Sequence, residues 1–280
     1  MGHGKLRKFA ENETFPCLLQ PSAEDVLAAG YANLTDHPVK GHWHERMFGG
    51  RPGDIILELG CGKGEYTLEL ARRNPDKNYI GVDIKGARLW RGAKTAVEEG
   101  LPNVAFLRTR IEFINAFFGP DEVAGIWLTF SDPQLAGENK RLSAPVFLER
   151  YRKFLRKDAR ICLKTDSRFL HEYTRAVAEA NGLPILAATT DLYGGSGLGA
   201  GPSAGSAPAP ADGIAPEVRE VKTFYESMFL EQGLPITYLE FLPFKEGPYV
   251  SPAQFDKDFW RAAEGPRRSF SHHPTKKYDR

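Results

Sequence analysis

Residues 55–64 read IILELGCGKG and are followed by Glu65. Ile55, Ile56 and Leu57 form a short apolar run into Glu58; Gly60, Cys61, Gly62, Lys63 and Gly64 then make a turn before a helical pattern that opens near Glu65. The order is strand, glycine loop, helix. A dinucleotide loop needs G-x-G-x-x-G, whose third glycine allows close helix packing and leaves a bare helix N-terminus for the pyrophosphate. Here the third position is Glu65. A carboxylate there repels phosphate, so the loop suits an adenosine ligand that carries none. S-adenosylmethionine fits, because its sulfonium tolerates nearby acid, and NAD is disfavoured.

The next segment, DKNYIGVDIKG, places Ile80 and Val82 on a short buried strand ending at Asp83, 25 residues after Glu58. An acid at the tip of the second strand accepts hydrogen bonds from both ribose hydroxyls. NAD and methyl-donor sites share that geometry, so Asp83 supports an adenosine site without choosing between them.

The chain has 280 residues, 41% of them hydrophobic, enough for one large α/β domain with tails. Lys and Arg total 37 against 36 Asp and Glu, giving a net charge of +1, so any nucleic-acid surface must arise from local clustering. Cys17, Cys61 and Cys162 are odd in number and widely spaced; they read as reduced thiols of a cytoplasmic protein. No apolar run approaches the ~20 residues of a membrane span, and the amino terminus is polar and basic. HWHE, at His42 to Glu45, has its histidines two apart with no third cluster, so surface histidines are expected and no metal.

Alternating patterns after Asp54 predict strands at 55–59, 78–83, 103–108, 123–129, 159–164 and 184–191. Helices are expected at 65–73, 86–99, 111–117, 145–155 and 168–181. Such alternation implies a doubly wound, mostly parallel sheet with ligands beyond the carboxyl ends of its strands. Residues 194–213 are rich in Gly, Ser, Ala and Pro and are expected to be a flexible insertion. Beyond it, VKTFYESMFLEQG predicts a helix, and PITYLEFLP a last strand at an antiparallel edge or inserted at the sheet's end. The expected organisation is a basic extension over 1–54, a catalytic domain over 55–242, and a carboxyl-terminal extension over 243–280. Lys5, Arg7 and Lys8 at one end, and Arg267, Arg268, Lys276, Lys277 and Arg280 at the other, form basic arms able to track phosphates.

Chemistry gathers at the strand ends. IWLTFSDPQ sends Asp132 out of the fourth strand, with Pro133 fixing the turn. A ring nitrogen such as guanine N7 needs no deprotonation before methylation, but the product ring gains positive charge, which a preorganised carboxylate stabilises. ICLKTDS ends the fifth strand with Lys164, Thr165 and Asp166, and TFYE sets Thr223 and Glu226 three apart on one helical face. Hydroxyls and carboxylates there suit a splayed base or a ribose.

ELGCGKGEYT, GVDIKGARLWRGA, FSDP, KTDS and TFYE, in that order, resemble the bacterial tRNA (guanine-N7-)-methyltransferase family, from Lys5 to about residue 242 outside the insertion. The resemblance implies a class I S-adenosylmethionine-dependent methyltransferase fold, Rossmann-like, with a seven-stranded mostly parallel sheet. It also implies S-adenosylmethionine as donor and a guanine of the tRNA variable loop as acceptor. Glu58, Asp83, Arg110 and Asp132 fall at donor-binding positions, together with Gly60 and Gly62 of the loop and the apolar walls Ile84 and Ile111. Asp132 falls at the catalytic position, and Arg141, Asp166, Thr223 and Glu226 at substrate positions.

The chain departs from the family in two places. The family's D-P motif is followed by an aromatic residue and a Lys, Arg and His-rich run. This chain has Gln134, Leu135, Ala136, Gly137 and Glu138 before Asn139, Lys140 and Arg141. Arg110 stands where relatives present a carbonyl-bearing side chain to the adenine amino group, and a guanidinium cannot accept that bond. The competing readings are a methyltransferase of another RNA base, a protein or a small molecule, and a non-catalytic RNA-binding subunit. The expected partner is tRNA, with no membrane, for a monomer or homodimer.

Overall fold

The structure, a computed structural model, describes residues 3–194 and 213–264, with side chains from Leu6 onward. Nearly all of the 194–213 insertion, the Lys5 side chain and the 267–280 basic cluster lie outside the described residues. The strands are β1 (Leu18–Leu19), β2 (Ile55–Leu59), β3 (Asn78–Asp83), β4 (Val104–Arg108), β5 (Val123–Thr129), β6 (Leu155–Thr165), β7 (Ile185–Thr189) and β8 (Thr237–Phe241). The helices are α1 (His3–Asn12), α2 (Ala23–Val26), α3 (Trp43–Met47), α4 (Glu65–Arg73), α5 (Gly86–Glu98), α6 (Pro145–Tyr151), α7 (Arg168–Ala180), α8 (Glu217–Glu220), α9 (Phe224–Glu231) and α10 (Lys257–Ala263).

One sheet runs in the order β1-β4-β3-β2-β5-β6-β8-β7. β1 to β6 pair in parallel; β8 is antiparallel to both β6 and β7. The last strand is therefore inserted between two others rather than added at an edge. Seven strands form the expected mostly parallel sheet, and an eighth, the two-residue β1, extends it beside β4. That strand carries only Leu18 and Leu19, too short for a periodicity to register. Reversal of strand order at β2 opens the crevice at the carboxyl ends of β2 and β5.

Burial on both faces explains the apolar runs of the central strands, whose residues are nearly all buried. Gly64 shows how tightly the helices sit on the sheet. Its φ is +73° and an added Cβ would lie 2.5 Å from the Phe106 ring. Only glycine fits both constraints.

The strand expected at 159–164 starts earlier, at Leu155, the one expected at 184–191 is shorter, Ile185–Thr189, and two helical segments also differ from expectation. The 111–117 segment is a 3-10 turn over Ile111–Ala116, which buries Phe113, Ile114 and Ala116 rather than one helical stripe. The helix expected to reach 155 stops at Tyr151, because Phe154 is buried and Leu155 already begins β6, paired with Val123 in the sheet.

Candidate active site

Glu58, at the end of β2, is buried. Its Oε2 accepts from the backbone N–H of Thr67 (2.8 Å) and from the Thr67 hydroxyl, and its Oε1 accepts from the Thr129 hydroxyl. Thr67 N is among the unsatisfied donors of the first turn of α4, so Glu58 caps that helix from the neighbouring strand. Burial pushes the Glu58 carboxyl up to about 7 against the pull of those three donors. Both oxygens are thus engaged within the protein, and Glu58 fixes the glycine loop relative to β2, α4 and β5.

Gly60 and Gly62 have φ of +81° and +59°, and a Cβ on either would meet nothing within 4 Å. The loop thus keeps an open face over the strand ends. Asp83 closes its far side: Oδ2 accepts from Gly62 N (3.0 Å) and Oδ1 from Lys85 N (2.7 Å). Each Asp83 oxygen retains acceptor capacity. Ile84 beside it is 53% exposed, an uncovered apolar side chain at the mouth, while Ile111 is half-buried against the core. An open loop, a carboxylate and an apolar wall are what an adenosine group needs, so these residues fit the implied methyl donor. Arg110 is exposed, lies 3.5 Å from Glu112 and sits over the Phe113 ring.

The loop after β5 carries Asp132 on a constrained backbone. Phe130 and Gln134 both have φ of +48°, a left-handed conformation that non-glycine residues seldom adopt. Asp132 itself is exposed, and its Oδ1 accepts from Gln134 N at 2.9 Å. Arg141 holds this loop from beneath. Its guanidinium is buried, donates to the carbonyls of Pro133 (3.1 Å), Gln134 (3.2 Å) and Leu135 (3.4 Å), and stacks on Phe169 and Tyr173. Desolvation lowers its pKa. Glu138 accepts from the Tyr173 hydroxyl at 2.9 Å and ties the same loop to α7.

Lys164, Thr165 and Asp166 end β6 next to β5, with Asp166 half-buried. Lys164 is fully buried and donates to the carbonyls of Val218 (2.6 Å) and Val221 (2.8 Å) while pairing with Glu226 Oε1 at 2.8 Å. Desolvation lowers its pKa to about 8 although Glu226 opposes the shift. Glu226 is equally buried and also accepts from the Tyr193 hydroxyl at 2.5 Å. Thr223 caps α9, accepting from Glu226 N at 3.2 Å. Glu65, the acid that replaces the third glycine, accepts from Phe224 N at 2.8 Å and so joins the glycine loop to the first turn of α9.

Topology therefore gathers Glu58, the glycines, Asp83, Arg110, Asp132 and Asp166 at the carboxyl ends of adjacent strands, with Thr223 linked through Glu65. Arg141 and Glu226 stand behind that rim as buried supports. The sequence did not reveal the Lys164–Glu226 pair, the Glu65–α9 link, or the docking of α10. There Glu264 accepts from the Ser167 hydroxyl and from Phe169 N (2.9 Å), and Arg261 donates to Leu135 O (2.7 Å). All three join segments far apart in the chain and leave no local pattern.

Known proteins settle the kinship. The protein named tRNA (guanine-N(7)-)-methyltransferase in Christiangramia forsetii is 48% identical over 85% of this chain and 96% of its own. The chain belongs to the tRNA (guanine-N(7)-)-methyltransferase family. Its relatives of that name in Bacteroides thetaiotaomicron and Porphyromonas gingivalis are 42% identical over 96% of the chain and 43% identical over 92%; each is covered over 98% of its length. The family described as "Putative methyltransferase" matches residues 52–193.

Proposed function

We propose that this protein transfers the methyl group of S-adenosylmethionine to N7 of a guanine in the variable loop of tRNA. The observation that carries the reading is Asp132, exposed at the end of β5 beside the open glycine loop, in a chain whose relatives bear this activity as their name. When bound, the donor supplies an electrophilic methyl on a sulfonium. Gly60, Gly62 and Asp83 would hold its amino-acid and ribose portions, Ile84 and Ile111 would flank the adenine, and Glu58 would act through the loop it locks. Arg110 borders the adenine edge without accepting from it. The in-plane lone pair of N7 would form the new carbon–nitrogen bond as the methyl carbon–sulfur bond breaks and its electron pair returns to sulfur, which leaves as a neutral thioether; no proton is lost, and the purine takes on the positive charge. Asp132 stabilises that charge as it develops, in a place fixed before the reaction by Arg141 and the Gln134 N–H. Asp166 and Thr223 position the base from either side, and Glu226 supports Thr223.

Among the described residues no helix is long and apolar enough to cross a membrane. A cytoplasmic enzyme is the matching proposal, working on free tRNA without a metal, as a monomer or homodimer. The test is incubation of the purified protein with methyl-labelled S-adenosylmethionine and tRNA lacking this modification, followed by nucleoside analysis. Label should appear in 7-methylguanosine from the variable loop. Label in another nucleoside, or none in RNA, overturns the reading.

A further inference from the structure

In the loop after Pro133, Arg141 is buried against backbone carbonyls and only Lys140 is an exposed cation, so most cations able to meet RNA phosphates stand elsewhere. A cleft of about 800 Å³ opens between α4 and α5 on the outer side of the glycine loop and reaches the segment before α9. Lys8, Lys63, Arg88, Arg91 and Lys222 line it. Arg88 and Arg91 are three apart on the exposed face of α5, hence neighbours. Lys8 is delivered by α1, which docks on α5: Asn12 donates to Gly86 O (3.0 Å) and Trp90 donates to Glu11 (2.8 Å). The Lys8 ammonium lies 4.4 Å from the centre of the Trp90 ring.

Acids also line this cleft, but they are engaged. Glu69 and Glu99 hold Arg72 at 3.1 and 2.8 Å, Glu220 holds Arg73 at 2.5 Å, and Glu65 accepts from Phe224 N. Among the described residues none of the five cations forms an ion pair. With Arg72 the lining carries six cations against the four carboxylates Glu65, Glu69, Glu99 and Glu220, and the positive excess, set on the five side chains outside ion pairs, makes a field that attracts a polyanion. At the inner rim, the Lys63 ammonium lies 5.8 Å from the ring of Phe224, which is 59% exposed beside Thr223.

We propose that this cleft is the track for the tRNA backbone; the inference rests on the reading of the chain as a tRNA methyltransferase. Phosphates lie along Arg88, Arg91, Lys63 and Lys222, and the strand turns inward past Phe224 to deliver the guanine to Asp132. Affinity carried by such contacts falls with salt in proportion to their number.

The experiment compares the full chain with an Arg88→Gln, Arg91→Gln variant and with a Lys153→Gln, Lys157→Gln variant, whose exposed lysines flank the start of β6 at the far end of the sheet. Affinity for tRNA is measured across a salt series. The α5 variant should bind at least tenfold more weakly at low salt, and its log–log salt slope should flatten by about two. Donor affinity, and turnover at saturating tRNA, should stay within twofold of the parent. The Lys153, Lys157 variant should match the parent. An unchanged affinity and slope in the α5 variant, or an equal loss in the control, overturns the proposal. A parent that binds and methylates no tRNA fails the functional reading itself, which separates the two.

Discussion

At the scale of single residues, charge and burial assign different work to the two acids at the centre of the site. Asp132 is exposed on a loop whose backbone is held by Arg141, so its charge is available to the reacting base. Asp132→Asn keeps the shape and removes the charge. Turnover should drop more than tenfold in single-turnover assays, about 1.4 kcal/mol of transition-state stabilisation, with little change in donor affinity. An unchanged rate would make the carboxylate a structural cap. Glu58 is buried, and its carboxyl is raised from 4.5 to about 7. A raised folded pKa means the native state holds the proton more tightly than the unfolded chain, so the associated stability is present below about pH 4.5 and lost as pH rises to about 7. That loss amounts to roughly 3 kcal/mol at most. Denaturant titrations of Glu58→Gln across this window should show a flatter decline than the parent; parallel curves would contradict the assignment.

Among elements, the segment from α8 to α9 depends on one buried ion pair. Lys164 reaches from the end of β6 to Val218, Val221 and Glu226, and so fixes the helix that presents Thr223. Removing one partner leaves an uncompensated buried charge, so Lys164→Met should lower stability by about 3–5 kcal/mol in chemical denaturation. Where the variant folds, KM for tRNA should rise more than KM for the donor; equal changes would mean that the pair does not position the substrate side. The sequence spoke clearly for β2, α4 and β3, whose observed bounds match those expected, because glycine punctuation and burial on both faces leave a strong local signal. It was silent on Lys164 with Glu226, which lie on either side of the insertion and meet only through the tertiary fold. Arg141 stood at a substrate position through resemblance alone, and sequence carries charge but not burial. The carbonyls of Pro133, Gln134 and Leu135 that engage it became visible only in three dimensions.

Across the whole molecule, a chain of net charge +1 must hold a polyanion by distribution of charge rather than by its sum. The cleft beside α5 offers a surface of unpaired cations, and the tail over 266–280 carries five more against one acid. If the tail also meets phosphate, deleting 266–280 should weaken tRNA binding and lower the salt slope by about one unit per lost contact, with turnover at saturating tRNA nearly unchanged. An unaltered slope would leave the cleft as the main phosphate surface. The central claim is narrower than RNA binding: the atom that receives the methyl group is guanine N7. The most direct measurement uses two transcripts of one tRNA, one ordinary and one with 7-deazaguanosine in place of guanosine, so that the acceptor nitrogen becomes a carbon. With labelled S-adenosylmethionine, the ordinary transcript should take up about one methyl group. The deaza transcript should take up none, while still competing with the ordinary one for binding. Equal methylation of the two would contradict the account.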